Sequence, residues 1–403
     1  MNDQIKARHS YAEAFRTLVE STEEIALHDE PGREVLYRRG ELVCATEDAD
    51  RVASTLKRVL PGYADGLRLK EWAVGVTTLS FAPERSVLDA VATLRKAWQQ
   101  QPDPAPTLQP HHVTVGYPVI MGHPANPPLP LAAAPAPPDA AQSHVGRGVT
   151  VGVCDTGIWA KAPGAHPGWF AGRYRREADD LDVLGDPGQH LAMQAGHGTF
   201  VAGIVRATAP GVRLDPEKAL EPSGLGTELM LATALGDLEP GVEVVNLSLG
   251  CLTLDNLPSL PIARALQKLC RDVVVVAAAG NSGSRRPSWP AAFTGVIAVA
   301  AVTQDSDGSV VPDPDSNHGP WVDACAEGTH AGTFVAGTSL LPGLGLSTFD
   351  PPYASWSGTS FAAPVVAGRV ADMMTRHGVP ARAAAQILLD HPRWHPDYGV
   401  LVQ

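Results

Sequence analysis

Three side chains of the kinds used in nucleophilic catalysis occur in the order Asp155, His197, Ser360 along the 403-residue chain. They lie in short glycine-containing motifs: Asp155-Thr156-Gly157, Gly196-His197-Gly198-Thr199 and Gly358-Thr359-Ser360. A serine hydroxyl is a weak nucleophile until a neighbouring base takes its proton, and a carboxylate can hold a histidine in the orientation that this base requires. The set predicts acyl transfer, with Ser360 as nucleophile, His197 as general base and Asp155 as the orienting acid.

The first motif alone has a second interpretation. Asp-Thr-Gly is also the signature of aspartic proteases, which need two carboxylates that share a proton. The chain contains no second Asp-Thr-Gly and no Asp-Ser-Gly. An aspartic protease would therefore require a symmetric dimer and would leave the histidine and serine motifs unexplained, so we disfavour it.

The residues around the three motifs strengthen the nucleophilic interpretation. Val151-Gly152-Val153-Cys154 precedes the aspartate, Phe200-Val201-Ala202-Gly203 follows the histidine motif, and Val365-Val366-Ala367-Gly368 follows the serine motif. With these stretches and the Asp…His…Ser order, the chain resembles the subtilisin-like serine proteases, or subtilases, over roughly residues 147–403. The resemblance implies an endopeptidase that hydrolyses peptide bonds.

The resemblance also implies which residues contact a polypeptide substrate. Asn281 resembles the asparagine that donates to the developing oxyanion together with the backbone N–H of the nucleophile. Two segments resemble the edges that pair with the substrate backbone: Ser248, Leu249 and Gly250 on one side, and Ser223, Gly224, Leu225 and Gly226 on the other. Ser288 falls where the floor of the specificity pocket is expected, and the absence of charge there favours uncharged, apolar or small side chains before the cut.

Similar stretches to the serine and histidine motifs occur elsewhere in the chain. Ser339 occurs in a second Gly-Thr-Ser, but Leu-Leu-Pro-Gly follows it and does not favour a helix. An apolar stretch predicts a helix over residues 361–374, which would direct backbone N–H groups at Ser360. His330 lies in a stretch similar to that around His197, but it comes after Asn281 and breaks the order of the family. We therefore predict that His330 is an ordinary loop residue.

Predominantly apolar runs occupy residues 149–153, 242–248, 272–278 and 296–300. Runs rich in β-branched residues are typical of strands buried on both faces of a parallel sheet. Helical patterns separate them, at residues 199–207, 226–238 and 261–269. The alternation predicts a doubly wound, mostly parallel α/β domain, in which functional residues collect at the carboxyl ends of strands.

The first 119 residues have a different pattern. Helical spacing marks residues 10–27, 48–60 and 87–98, with Ser86 as N-cap of the last, and strand patterns mark residues 34–37, 42–45, 75–81 and 112–115. This small α/β pattern resembles a subtilase propeptide, a ferredoxin-like domain that covers the active site and assists folding. Its last strand, residues 112–119, would then enter the substrate cleft. A generic regulatory or interaction domain is the alternative.

Seven prolines lie among alanines between these regions: Pro124, Pro127, Pro128, Pro130, Pro135, Pro137 and Pro138. Such a composition is typical of an extended, semi-rigid spacer. We therefore predict a propeptide-like domain at 1–119, a linker at 120–146 and a catalytic domain at 147–403.

The overall composition narrows the classes of partner and location. A formal net charge of −12 argues against nonspecific nucleic-acid binding, which requires positive charge. No apolar stretch approaches the length of a membrane span, and no apolar signal-peptide region follows Met1. The five cysteines, odd in number and without close spacing, favour reduced thiols. These features predict a cytoplasmic protein that binds neither nucleic acid nor membranes.

No cofactor is implied by the motifs. Calcium is common in the family, and the chain has acidic stretches at residues 179–182, 305–308 and 313–315. None of them completes a loop with a terminal bidentate acid, so we predict acidic turns and no metal ligands, although the resemblance leaves room for a structural calcium ion. The alternative to an active enzyme is an inactive or permanently inhibited subtilase fold that binds peptides or a partner.

Overall fold

The computed structural model describes residues 3–99, 101–116, 126–175, 177–185, 190–305, 309–341 and 345–403. Three of the sequence predictions fall partly outside this range: the part of the last N-terminal strand beyond residue 116, the first half of the linker, and the acidic stretch after Asp305.

The N-terminal region forms an antiparallel sheet with two helices packed on one face. Its elements are α1 (Asp3–Ser21), β1 (Ile25–His28), β2 (Val35–Ala45), α2 (Ala49–Val59), β3 (Arg68–Trp72), β4 (Val76–Ser80), α3 (Val87–Trp98) and β5 (Leu108–Gly116). The order across the sheet is β5-β2-β4-β3, and β1 also pairs with β2. From β2 to β5 the chain therefore follows a β-α-β-β-α-β path in which each strand pairs antiparallel with its neighbours.

The two faces of this sheet pack against different partners. Leu42 and Leu79 join a buried cluster with the apolar sides of α2 and α3. Val43, the next residue along β2, points the other way and packs against Leu229 of the second half of the chain. Because successive strand residues alternate between faces, one face stabilises the N-terminal unit and the other attaches it to its neighbour.

Local predictions for this region were correct in part. The helix predicted over residues 10–27 ends at Ser21, because Ile25 begins β1 and pairs antiparallel with β2. The strands predicted at 34–37 and 42–45 are one strand, β2, which has an irregular register between Tyr37 and Leu42. Strand β3 was not predicted, and its side chains are mostly exposed, so it lacks the apolar alternation that marks a strand. Ser86 caps α3 as predicted, accepting a hydrogen bond from the Asp89 N–H.

The second half of the chain is built on a larger sheet. Its elements are β6 (Leu129–Pro130), β7 (Thr150–Asp155), β8 (Ile158–Trp159), α4 (Ala162–Ala165), α5 (Pro167–Phe170), β9 (Leu181–Asp182), α6 (His197–Thr208), β10 (Arg213–Lys218), β11 (Leu225–Thr227), α7 (Glu228–Asp237), β12 (Val244–Leu247), β13 (Leu249–Gly250), α8 (Leu260–Lys268), β14 (Val274–Ala278), β15 (Val296–Gln304), β16 (Val310–Pro312), β17 (Ala324–Glu327), β18 (Thr329–Thr333), β19 (Gly337–Leu341), β20 (Gly345–Phe349), β21 (Tyr353–Ser357), α9 (Thr359–His377), α10 (Ala381–Leu389), β22 (Trp394–His395) and β23 (Gly399–Leu401).

The strand order of the large sheet is β10-β7-β12-β14-β15-β17-β23-β22, parallel from β10 to β23. Successive residues of its central strands join different clusters. Val274 and Val276 pack with residues of α6 and α9, whereas Val275 packs with residues of α7 and α8. Helices therefore cover both faces, which confirms the doubly wound, mostly parallel sheet predicted from the apolar runs.

Part of the predicted linker packs on this second half. β6 pairs antiparallel with β21, and the indole N–H of Trp356 donates to the carbonyl of Asn126 at 2.7 Å. Residues 132–134 and 136–137 are exposed. The predicted boundaries at 119 and 146 remain predictions.

Candidate active site

Asp155 and His197 form a buried pair at the carboxyl end of a strand of the large sheet. Asp155 is the last residue of β7 and His197 the first residue of α6. The Nδ1 of His197 lies 2.7 Å from Oδ1 of Asp155, and both side chains are buried. The other ring nitrogen, Nε2, is also buried but has no hydrogen-bond partner among the described residues. A ring that donates through Nδ1 and keeps Nε2 open can accept a proton there.

Glycines bring these two elements close together. A Cβ on Gly198 would overlap with the carbonyl oxygen of Gly157, so only glycine fits at the start of α6. Gly196 has a φ of +86°, in the left-handed region that glycine favours. The glycines that flank His197 therefore allow α6 to begin directly beside the end of β7.

Ser360 lies in the first turn of α9 and exchanges hydrogen bonds with Ser248. Its hydroxyl donates to the Ser248 carbonyl at 3.1 Å, and the Ser248 hydroxyl donates to the Ser360 carbonyl at 2.7 Å. Asn246 supports Ser248 through a 2.9 Å hydrogen bond to its hydroxyl. Because Ser248 directly follows β12, these contacts fix the start of α9 against the carboxyl end of a sheet strand.

Asn281 reaches the same helix start from the loop after β14. Its side-chain carbonyl accepts the Thr359 N–H at 2.9 Å, and the Thr359 hydroxyl accepts the Gly280 N–H at 3.1 Å. A Cβ on Gly358 would lie 2.8 Å from Nδ2 of Asn281, so this glycine admits the amide group. The structure therefore places the Asn281 side chain beside Gly358 and Thr359, the two residues that precede Ser360.

A fifth buried group is Asp182, which was predicted only as part of an acidic turn but lies in strand β9 and is buried. Its carboxylate accepts hydrogen bonds from the N–H of Gly196 at 2.7 Å and from the hydroxyl of Thr156 at 3.0 Å. Thr156 in turn accepts the N–H of Gly198 at 3.0 Å. Burial raises the pKa of Asp182 to about 6. Asp182 thus ties the residue after Asp155 to both glycines around His197, a role that no local motif indicates.

The two predicted substrate edges face each other across a third strand, β5. Val115 pairs antiparallel with Leu225 of one edge and with Gly250 of the other, and Gly116 pairs with Leu249. The Gly116 N–H also donates to the Gly224 carbonyl at 2.9 Å. The last described part of the N-terminal unit therefore lies between the segments for which a substrate-pairing role was predicted.

A buried polar network holds β5 at its other end. Glu228 at the start of α7 accepts the backbone N–H of His112 at 2.9 Å, the His112 Nδ1 at 3.3 Å and the Ser259 hydroxyl at 2.6 Å. The Nε2 of His112 accepts the Leu254 N–H at 3.1 Å. His112 and Glu228 are fully buried. This network was also missed, because its members are far apart in the sequence and carry no motif.

The remaining predicted positions make local contacts of their own. Ser288 is buried, and its hydroxyl lies 3.5 Å from the Cys251 carbonyl. The hydroxyl of Ser223 accepts the Leu225 N–H at 3.3 Å. Ser339 lies in β19, a strand that pairs with β20, and does not begin a helix. His330 lies in β18 rather than in a loop, and its Nε2 contacts the Glu327 carbonyl at 2.9 Å.

Among the described residues, one group of acidic side chains could hold a metal ion: Glu177, Asp179 and Asp180, whose oxygens lie within 4.8 Å of one another. Two of these three side chains are at least partly exposed, and such acidic groups are common without an ion. The same described ranges contain no helix that combines the length and the apolar character needed to cross a membrane.

Comparisons with known proteins agree with this arrangement. The subtilase family matches residues 146–389. The chain is 37% identical to a thermophilic serine proteinase of Bacillus sp. (strain AK1) over 48% of this chain and 47% of that protein. It is 34% identical to subtilisin Savinase of Lederbergia lenta, over 56% of this chain and 76% of that protein. The chain therefore belongs to the subtilase family of serine peptidases.

A solved structure supports the same fold. Fervidolysin from Fervidobacterium pennivorans, described as a keratinolytic enzyme related to subtilisin, matches 94% of this chain and 61% of its own with a TM-score of 0.61. At 20% identity this similarity concerns the fold alone. The chain spans about half the length of the thermophilic proteinase and about three quarters of Savinase.

Proposed function

We propose that this chain is a serine endopeptidase in which Ser360 attacks the peptide carbonyl. The observation that carries the proposal is the buried His197–Asp155 pair, in which Nε2 of His197 has no hydrogen-bond partner among the described residues. In the resting arrangement the Ser360 hydroxyl donates to Ser248. Rotation toward His197 would give its proton to Nε2 as the new C–O bond forms.

Two charges then have to be stabilised: the positive charge on the His197 ring and the negative charge on the oxygen of the attacked carbonyl. Asp155 would hold the His197 ring in the required tautomer and stabilise its cation. The side-chain amide of Asn281 and the backbone N–H of Ser360, at the start of a long helix, would donate to the oxyanion. His197 would then protonate the leaving amine, and a water molecule would release the acyl group by the same steps.

We further propose that residues 1–119 are a ferredoxin-like propeptide that inhibits the enzyme from within the chain. The β-α-β-β-α-β path supports the fold, and the position of β5 between the two edges supports the inhibition. A tethered strand has a high effective concentration, so modest affinity suffices to exclude substrate. Cleavage in the segment 120–146 followed by dilution would release activity.

A fluorophosphonate probe followed by peptide mapping tests both parts of the proposal. A recognition site for a sequence-specific protease is placed in the exposed segment around residues 132–137 of the full chain. We expect slow labelling of Ser360 before the cut and faster labelling after cutting and dilution, with Ser360→Ala as control. Absence of labelling in both states would favour the inactive, peptide-binding alternative, and equal labelling before and after would remove the inhibitory role.

A further inference from the structure

A side chain at the position of Gly116 would overlap with the ends of two buried side chains. A Cβ on Gly116 would overlap with Oε1 of Gln194 and lie 2.9 Å from Cδ1 of Leu220. Gly116 lies in a regular strand pair, so its backbone is extended and open to any residue type. The restriction is therefore one of space and not of backbone conformation.

Gln194 is fixed where it blocks this space. Its side chain is fully buried, and Nε2 donates to the Gly116 carbonyl at 2.9 Å. A Cβ on Gly224 would lie 2.6 Å from Cγ and Cδ of Gln194, so the side chain is wedged between two glycine positions. The backbone is held as well, because the Gln194 N–H donates to the Pro222 carbonyl at 2.9 Å.

Leu220 lines the same space. Its side chain is fully buried, and its N–H donates to the carbonyl of Asp155 at 3.1 Å. This hydrogen bond links Leu220 to β7, the strand that ends in Asp155. A larger side chain at the Gly116 position would therefore have to displace two packed residues, and overpacking of this kind is costly.

The register shows where this position lies relative to the nucleophile. Val115 pairs with Gly250 and Gly116 with Leu249. A polypeptide that continues this antiparallel register places its next residue opposite Ser248, whose carbonyl accepts the Ser360 hydroxyl at 3.1 Å. The restricted position is therefore the one immediately before the residue that reaches Ser360.

We propose that Gln194, with Leu220, makes this cleft selective for substrates that carry glycine at the residue preceding the one opposite Ser248. The inference rests on the proposed peptidase function and names its substrate class: extended segments in which glycine precedes the residue that supplies the attacked carbonyl. Gln194 acts by contact with the substrate backbone and by exclusion of a Cβ.

The first test does not depend on catalysis. In full chains that carry Ser360→Ala, hydrogen exchange of the β5 amides is compared for Gly116→Ala, Gln194→Ala and the double variant. We expect Gly116→Ala to speed exchange about tenfold or more, and to have a much smaller effect when Gln194→Ala is already present. Gly62→Ala is the matched control, because its Cβ would meet nothing closer than an Arg85 atom at 3.6 Å. Equal effects of Gly116→Ala with and without Gln194 would overturn the proposal.

The second test uses competing peptides and unaltered Gly116. Val-Thr-Val-Gly-Tyr and Val-Thr-Val-Ala-Tyr, each with a fluorogenic anilide at the C-terminus, are mixed with the full chain. The ratio of the two product rates does not depend on how much of the cleft is open. We expect a preference for glycine of about tenfold or more that falls toward one in Gln194→Ala, and a ratio near one in the unaltered chain would refute the selectivity. If neither peptide is cut by the full chain or by the chain that has been cut around residues 132–137 and diluted, the peptidase proposal fails and the exchange experiment alone decides the role of Gln194.

Discussion

Among the described residues, two histidine–carboxylate pairs have both side chains fully buried, and they differ in the second ring nitrogen. In the pair of His197 with Asp155, Nε2 has no partner among the described residues. In the pair of His112 with Glu228, Nε2 accepts a backbone N–H, and the carboxylate has two further donors. A buried polar group without a partner costs stability. The unpartnered nitrogen of His197 is thus suited to proton transfer. His112, whose two ring nitrogens are both hydrogen-bonded, is suited to holding the N-terminal unit against the larger one.

The two pairs also differ in whether their members belong to the same unit of the fold. Asp155 and His197 belong to the same half of the chain and come from the ends of adjacent elements of one α/β unit. His112 lies in the N-terminal sheet and Glu228 in the large unit, so their contact lasts only while β5 stays paired with β11. Removal of one pair should affect turnover, and removal of the other should affect access to the cleft.

The largest effects are expected for substitutions of the proposed general base, His197, and the proposed nucleophile, Ser360. His197→Ala and Ser360→Ala should each lower turnover about 10⁶-fold, the loss that subtilisin shows for its own histidine and serine, because the groups act as a unit. Turnover is measured on the cut and diluted enzyme, with the thermal midpoint as a check on folding. Ser339→Ala is the matched control, and loss of activity there instead would move the nucleophile to the other Gly-Thr-Ser.

Asn281→Ala should have the next largest effect. Loss of one oxyanion donor lowers turnover about 10²–10³-fold, while KM stays nearly unchanged because the donor acts on the transition state. Steady-state kinetics on the same preparation separate the two constants. An unchanged turnover number with a raised KM would instead assign Asn281 to substrate binding.

The sequence predicted the first pair better than the second for physical reasons. Strands buried on both faces appear as continuous apolar runs, so the end of β7 and its Asp155 could be located from local sequence. The contact between His112 and Glu228 spans 116 positions and depends on how two units meet. Gln194 and Gly116 are 78 positions apart, and neither has a motif that indicates the contact. Short-range patterns describe elements and their ends, whereas these contacts follow from tertiary packing.

Glu228→Gln tests the second pair. The amide keeps the shape but replaces a charged acceptor, and hydrogen bonds to charged groups contribute more than neutral ones. We expect the rate of fluorophosphonate labelling of Ser360 in the uncut chain to rise about tenfold. Glu47→Gln is a matched control, because Glu47 forms an exposed ion pair with Arg264 across the same two units. Exposed pairs contribute little, so equal effects of both variants would show that burial of Glu228 is not what holds β5.

The smallest expected effect is the pH dependence of the same contact. Burial alone would raise the pKa of Glu228, but its interactions with His112, including their hydrogen bond, and the hydrogen bond from Ser259 outweigh burial and hold the pKa below the ordinary 4.5, with His111 adding in the same direction. A carboxyl whose pKa is lowered by folding stabilises the folded state above its unfolded pKa, and this contribution is lost as the pH falls through the folded value. The thermal midpoint of the full chain with Ser360→Ala should therefore exceed that of the variant with both Ser360→Ala and Glu228→Gln by a constant margin at neutral pH. The margin should narrow only below about pH 4.5. If the difference in thermal midpoint narrowed between pH 7 and pH 5, a group other than Glu228 would control the contact. If the difference were unchanged at pH 3, folding would not lower the pKa of Glu228.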